Sequence, residues 1–356
     1  MKQKIKDFTG EDIYVGFDVH KKSWQVSIMT KHAMHKSFSQ PPSVDALINY
    51  LRTNFSGGIY HSAYEAGFCG FGIHRELQKS GINSIVVNPA DIPTTQKEQV
   101  QKEDKRDSRK IAKCLRNEEL TGIYVPSVSV VEDRGLVRTR HLLVKDAVRY
   151  KQRIKSFLYF HGIHLPHEFD KIQTHWSNRF MKWLSTIEMA GTSGKQSIQS
   201  LINENIALRA NILEVTHKIR ALSRSECYKT NMELIQGIPG IGLITGMTFL
   251  TEIVTMERFA SSDKLCSFIG LVPTMRSSGE KEIHGQITYR SNHLLRRMLI
   301  ESSWVAIRYD PALMRSYHEY CKRMEPNKAI IRIARKLVNR IEFVLRNKQV
   351  YKKLTH

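Results

Sequence analysis

The sequence predicts an α/β N-terminal domain over residues 1–130, a helical, coiled-coil-like region over 131–226 and a mainly α-helical C-terminal domain over 227–356. Up to Asn88, short β-branched runs alternate with amphipathic helical stripes, the pattern of a sheet at least partly parallel. Across 130–224 strand signals fade and apolar residues recur at helical spacing. Beyond residue 232, a Gly-x-Pro-Gly-x-Gly turn joins two apolar stretches, and a basic amphipathic segment follows. At 356 residues the chain has material for two or three cores.

Composition narrows the partners. Lys+Arg 55 against Asp+Glu 34 gives a formal charge of +21, and the pI is about 9.8. Such a chain repels itself unless it meets a polyanion, and nucleic acid is the natural one. There is no apolar run of about 18 residues and no signal-peptide apolar core, so no membrane partner is expected and a cytoplasmic location is. Cys69, Cys114, Cys227, Cys266 and Cys321 are scattered singly, which suits neither a disulfide framework nor a CxxC zinc site. His161, His164 and His167 recur at three-residue spacing, but Gly162 and Pro166 interrupt any helix that would align them on a metal.

Ile13-Tyr14-Val15-Gly16-Phe17-Asp18 and Ser23-Trp24-Gln25-Val26-Ser27-Ile28-Met29 read as a two-stranded hairpin. The first arm is almost wholly apolar yet ends in Asp18, and an ionised carboxylate in a buried strand needs a partner or a cation. Three readings stand at this point: the aspartate of a sugar-kinase or actin-like ATPase, the first-strand metal ligand of an RNase H-like nuclease, or the start of a turn. The ATPase needs a glycine-rich phosphate loop next, and Val19-His20-Lys21-Lys22-Ser23 contains no glycine.

Val44, Leu47, Ile48 and Leu51 form a helical stripe that stops at Ser56-Gly57-Gly58. Residues 59–64 read as a strand ending in Glu65, 72–80 as a helix broken by Gly81, and 82–87 as a strand closed by Asn88-Pro89. Residues 96–107 are almost entirely polar; from Asp104 onward Ile111, Ala112 and Leu115 make an apolar helix face entered from a loop. Asp104 and Asp107, three apart, share one side of that helix. Acids at a helix start are either a solvated face favoured by the helix dipole or ligands. An RNase H-like site needs a first-strand carboxylate, another at a later strand end and one or two from a neighbouring helix, converging on Mg²⁺. Asp18, Glu65, Asp104 and Asp107 occur in that order.

These residues carry a resemblance. Val15-Gly16-Phe17-Asp18-Val19-His20-Lys21-Lys22, Tyr64-Glu65-Ala66-Gly67, Asn88-Pro89 and Asp104-Lys105-Arg106-Asp107-Ser108-Arg109-Lys110-Ile111-Ala112 resemble the DEDD transposases of the IS110 family, relatives of the Piv DNA invertases. The resemblance implies a RuvC-like first domain whose four acids, here Asp18, Glu65, Asp104 and Asp107, bind catalytic Mg²⁺, with Mn²⁺ as a substitute. It also implies a homo-oligomer acting on DNA with a structured guide RNA encoded by the element, and a serine in the C-terminal domain that joins covalently to DNA.

In the middle region Leu201, Leu208, Val215 and Leu222 fall seven apart, with Ile198, Asn205, Ile212 and Ile219 on the complementary seam. This is a coiled coil between chains or an amphipathic helix packed on its own domain. Gly237-Ile238-Pro239-Gly240-Ile241-Gly242 has the form of a helix–hairpin–helix turn, in which Gly240 and Gly242 either bring backbone N–H groups to a phosphate or simply allow a tight turn. Gly270-Leu271-Val272-Pro273, Ser277-Ser278-Gly279, His284-Gly285-Gln286-Ile287-Thr288 and Leu294-Leu295-Arg296-Arg297-Met298-Leu299 resemble the C-terminal transposase domain of the same family. Tyr289-Arg290-Ser291-Asn292 departs from a Lys-x-Gly-Asn-like run found in many members. Alone, Ser277-Ser278-Gly279 reads as a turn; the resemblance makes Ser278 the nucleophile, with Ser277 its less favoured neighbour.

Lys21, Lys22, Lys105, Arg106, Arg109, Arg296 and Arg297 are expected nucleic-acid contacts. So is the cationic face formed by Lys322, Arg323, Lys328, Arg332, Arg335, Lys336 and Arg340. The function expected is a DNA transposase or site-specific recombinase. Its rivals are a metal-dependent, structure-specific nuclease such as a Holliday-junction resolvase, which needs the acids and no serine, and a nucleic-acid-binding scaffold with an inactive site.

Overall fold

The computed structural model describes residues 7–93, 104–278, 281–288 and 291–352, with the backbone alone at 104–105, 274–278 and 281–286. The chain divides into two compact units, Met1–Val125 and Pro126–His356.

In the first unit the expected hairpin forms from β1 (Asp12–Val19) and β2 (Trp24–Met29), and β3 (Met34–Gln40) extends it. Helix α1 (Val44–Asn54) leads to β4 (Ile59–Glu65), and α2 (Gly72–Lys79) to β5 (Asn83–Val87). The strand order is β3-β2-β1-β4-β5. β2 is antiparallel to both β1 and β3, whereas β4 runs parallel to β1 and β5. Ser43 starts α1 by accepting the Ala46 N–H, and Asp45 complements the dipole in its first turn. Leu47 and Leu51 then bury against Ile13, Val15, Phe17, Val26 and Ile28, together with Leu77 of α2, on one sheet face. Helix α3 (Asp104–Arg116) lies on the other, where Ile111 meets Ala63, Val87 and Ile92. Strand β3 has no counterpart in the sequence reading. Met34, His35 and Lys36 are exposed on it, as suits a strand at a sheet edge, so it lacks the alternation by which half-buried strands are recognised.

The second unit begins with α4 (Val128–Phe160), capped by Ser127, followed by α5 (Asn178–Ser185) and α6 (Thr192–Leu222). Asn205 of α6 donates to the Ala147 carbonyl, and Arg140 of α4 to the Thr216 hydroxyl, so the two long helices run antiparallel. The heptad seam faces this partner: Ile198, Asn205 and Ile219 are buried, Ile212 is half-buried, and Leu201, Leu208, Val215 and Leu222 flank them half-buried. The apolar repeat is thus used for packing within the chain.

Helices α7 (Lys229–Gln236), α8 (Leu243–Ile253) and α9 (Ser262–Ile269) precede a hairpin of β6 (Pro273–Ser278) and β7 (Lys281–Ile287). Then come α10 (His293–Tyr309), α11 (Pro311–Cys321) and α12 (Pro326–Asn347). Phe249, Leu265, Leu299, Leu337 and Ile341 share one core. A buried carboxylate ties α4 to it: Glu252, 4% exposed, accepts from Arg138 Nε at 2.7 Å and Nη2 at 2.9 Å, and from Asn292 Nδ2 at 2.9 Å. Arg134 adds a hydrogen bond to the Thr251 carbonyl at 2.9 Å. All five cysteines are free thiols. Among the described residues no helix is long and apolar enough to cross a membrane.

Candidate active site

Strand register brings the first two acids together. Phe17 pairs with Tyr64 across the parallel β1–β4 ladder, and their rings stack at 5.2 Å on the face covered by α1 and α2. Side chains alternate along a strand, so the next residues of each, Asp18 and Glu65, fall on the opposite face at neighbouring strand ends. Asp18 keeps 17% of its side chain exposed, and His20 Nε2 lies 3.0 Å from its Oδ2. That histidine, two residues past the acid, is a close neighbour of the carboxylate and went unassigned in the sequence. Lys21 and Lys22 are exposed in the turn beyond it.

Helix α3 crosses this same face in very close contact. Gly16 faces it: a Cβ there would stand 2.2 Å from the Ala112 nitrogen and 2.4 Å from the Ser108 carbonyl oxygen. A row of hydroxyls fixes the docking, with Ser108 Oγ 2.8 Å from Ser27 Oγ, which is 2.8 Å from Ser37 Oγ. Arg109 Nε donates to Ser37 at 2.9 Å, so this expected nucleic-acid contact also clamps the helix to β3. Sequence inspection missed the hydroxyls, although Ser108 and Ala112, small residues four apart and opposite a strand glycine, are the signal of a close helix–sheet contact.

Asp107, half-buried in the first turn of α3, adjoins the buried Ser108. Arg106 is exposed, and Asp104 opens the helix; the side chains of Asp104 and Lys105 lie outside the described residues. A site made of these four acids would be all carboxylate oxygen, which would fit a hard divalent cation such as Mg²⁺ better than a thiolate- or imidazole-seeking metal. Among the described residues no three or more His, Cys, Asp or Glu side chains cluster as a metal-holding group, so Asp18, Glu65 and Asp107 are not gathered as one in this structure.

In the second unit, Ser278 ends β6 and pairs with Lys281 of β7, so the backbone is extended up to the serine where the sequence suggested a turn. The Ser278 side chain, Gly279, Tyr289 and Arg290 lie outside the described residues. Arg296 supports the hairpin's base: Nη1 donates to the Thr288 carbonyl at 2.8 Å and Nη2 lies 2.9 Å from His293 Nδ1. Gly270 closes α9 at φ +85°, where a Cβ would stand 2.1 Å from that of Ser291. Arg297 Nη2 approaches His141 Nδ1 at 3.1 Å. Burial, reinforced by the Arg297 charge, holds that imidazole below the ordinary histidine range.

The glycine turn between α7 and α8 divides into two roles. Gly240, at φ +87°, packs against α10, where a Cβ would be 2.3 Å from the Ser302 carbonyl oxygen. Gly242, the N-cap of α8, is exposed, and a Cβ there would meet nothing within 4 Å. The basic helix α12 is likewise split. Arg340 Nε turns inward to the Tyr351 hydroxyl at 2.9 Å and to buried Asp310 at 3.5 Å, so it does not belong to the outer cationic face. Arg335 pairs with Asp263 at 2.7 Å.

Comparison with known proteins supplies what geometry alone does not. Residues 15–162 match the transposase family model named for IS110 and DEDD, and residues 232–319 match the model of the transposase IS116/IS110/IS902 family. A Sinorhizobium fredii protein named as a transposase, y4qE, is 28% identical over 306 residues, covering 85% of this chain and 73% of its own. The transposase for insertion sequence element IS1533 of Leptospira borgpetersenii is 26% identical over 250 residues, 68% of this chain and 69% of its own. That for IS1111A of Coxiella burnetii is 24% identical over 248 residues, 68% and 65% respectively. With both halves matched in order and relatives aligned through most of its length, the chain belongs to the IS110 family of transposases.

Proposed function

We propose that this transposase cleaves and rejoins DNA strands at the ends of its own insertion sequence. In this reading Asp18, Glu65, Asp104 and Asp107 hold Mg²⁺ or Mn²⁺ in a RuvC-like first domain, and Ser278 is the nucleophile. The observation that supports this reading is the β1–β4 register, whose alternation turns Asp18 and Glu65 toward the sheet face on which α3, the helix that carries Asp107, packs at Gly16. The strand order, with three antiparallel strands followed by two parallel ones, supports the RuvC-like assignment. The bound cation would supply charge neutralisation at the attacked phosphate and at the leaving oxygen.

Ser278 Oγ would attack a backbone phosphorus, losing its proton as the P–O bond to the sugar breaks and the freed sugar oxygen takes one up. The resulting serine phosphodiester keeps the bond energy, so a different sugar hydroxyl can reverse the step on a new end without ATP. The charge of +21 supplies backbone attraction without sequence information, leaving choice of site to base pairing with a guide RNA. A homo-oligomer would bring the several strand ends of one exchange together.

Asp18→Asn should reduce Mg²⁺-dependent cleavage of an element-end duplex by roughly a thousandfold, the loss of several kcal/mol of charge stabilisation. DNA retention in a gel-shift assay should stay unchanged. Normal cleavage by the variant would sink the acid site. Ser278→Ala should yield no denaturant-stable protein–DNA adduct, while Ser277→Ala still does. Cleavage without any adduct in the wild type would identify water as the nucleophile and the chain as a nuclease.

A further inference from the structure

A groove of about 1150 Å³ runs along α12 in the second unit. Lys328, Arg332 and Lys336 line it at four-residue spacing, one above another on a single helix face. None of the three has a carboxylate partner among the described residues, and no described Asp or Glu lines the groove. Its lining also includes Leu271, Ile287 and Ile331. Tyr320 adds a flat ring, with the Arg332 guanidinium 5.6 Å and the Lys336 ammonium 6.0 Å from its centre.

This combination selects among anions. From Lys328 to Lys336 the three cations span about 12 Å of helix, longer than a single phosphate group and suited to a polymer. A duplex offers phosphates and groove edges while its base faces stay stacked on each other, leaving an apolar and aromatic surface without a partner. An unpaired strand presents both phosphates and open base faces, and a cationic rim beside an aromatic platform meets both.

We infer that this groove holds an unpaired polynucleotide strand, its phosphates on Lys328, Arg332 and Lys336 and a base against Tyr320. The inference rests on the chain acting on nucleic acid, and it depends on neither the acids nor the serine. Leu271 and Ile287 flank the base of the β6–β7 hairpin. A strand seated there would enter beside the element that ends in Ser278, five strand residues or roughly 17 Å further on.

The test uses the full chain in EDTA and fluorescence anisotropy with three labelled probes: a 12-nucleotide oligo-dT, the matching oligo-rU and a 12-base-pair duplex. Replacing Lys328, Arg332 and Lys336 together by alanine should weaken binding of at least one single strand tenfold or more. It should also reduce the steepness of log affinity against log salt by about 2, three contacts at about 0.7 each. Duplex affinity should stay within twofold. Tyr320→Ala should cost roughly tenfold in single-strand affinity without changing the salt slope, since stacking carries no net charge. Tyr320→Phe, which keeps the ring, should bind as the wild type does.

A loss confined to oligo-dT or to oligo-rU supports the inference and names the strand. Unchanged affinity for both single strands overturns it, as does an equal loss for single strand and duplex, which would make the groove a duplex phosphate face. Asp18→Asn and Ser278→Ala should keep wild-type single-strand affinity. Should those two abolish cleavage while the triple variant binds normally, the groove fails and the proposed chemistry stands.

Discussion

Gly16→Ala should lift α3 from the sheet, destabilise the first unit by about 3 kcal/mol and abolish strand cleavage. The atoms a new methyl would meet, the Ala112 nitrogen at 2.2 Å and the Ser108 carbonyl oxygen at 2.4 Å, are both backbone, so no rotamer change relieves the clash. Overpacking of this kind costs about 1–3 kcal/mol and sometimes more, and the upper end applies where only a whole helix can yield. Asp107 rides on that helix beside Ser108, and a displacement of about 1 Å in a catalytic group is enough for a hundredfold loss of rate. Ala112→Gly in the same chain should rescue neither property, because the obstruction is the helix backbone. Thermal melting and cleavage of an element-end duplex check both expectations. A Gly16→Ala chain that melts and cuts normally would mean that α3 does not lie on the sheet in solution.

Glu252→Ala should be the most damaging change in the second unit. It leaves the Arg138 guanidinium and the Asn292 amide without their shared acceptor, so that of the polar ties described between α4 and α8 the Arg134 bond to the Thr251 carbonyl is left. Removing one member of a buried ion pair costs about 3–5 kcal/mol, and the lower end applies because Arg138 is 54% exposed and regains water. For a unit of this size that is a fall in melting temperature of about 6–12 °C. Glu252→Gln, which keeps one acceptor oxygen, should fall between the wild type and the alanine variant by calorimetry. An alanine variant as stable as the wild type would show the network to be a surface feature.

The first unit was the more legible in sequence, because its elements follow local rules. The stripe at Val44, Leu47, Ile48 and Leu51 and the apolar runs before Glu65 and Asn88 each announce one element, and each forms within a residue or two of its expected limits. Strand β3 was hidden because its exposed, mixed residues are what a sheet edge tolerates. The acids were legible as chain order. Their adjacency was not, since it depends on the Phe17–Tyr64 pairing between residues far apart in sequence. The roles of the cations were least legible. Arg340 and Lys336 look alike on a helical wheel, yet one turns toward buried Asp310 and the other lines a groove, a difference made by α11 and the C-terminal segment. The heptad of α6 shows the same limit: its spacing declares a partner helix, and only the fold identifies that partner as α4.

The path of the chain through the first unit also sets a schedule. β1, β2 and β3 are consecutive antiparallel neighbours, so the part of the sheet that carries Asp18 closes through short-range contacts. Glu65 arrives only when β4 has crossed over by way of α1, and Asp107 only when α3 returns to Gly16 from about ninety residues further along the chain. Contacts of long sequence separation form late, and synthesis delivers the N-terminus first. A chain still emerging from the ribosome therefore holds a partial sheet with one or two carboxylates and no helix above them. On the proposed chemistry it is inert toward DNA until α3 has docked on the sheet, which makes emergence of the first unit's last helix, about a third of the way through synthesis, the first control on its activity.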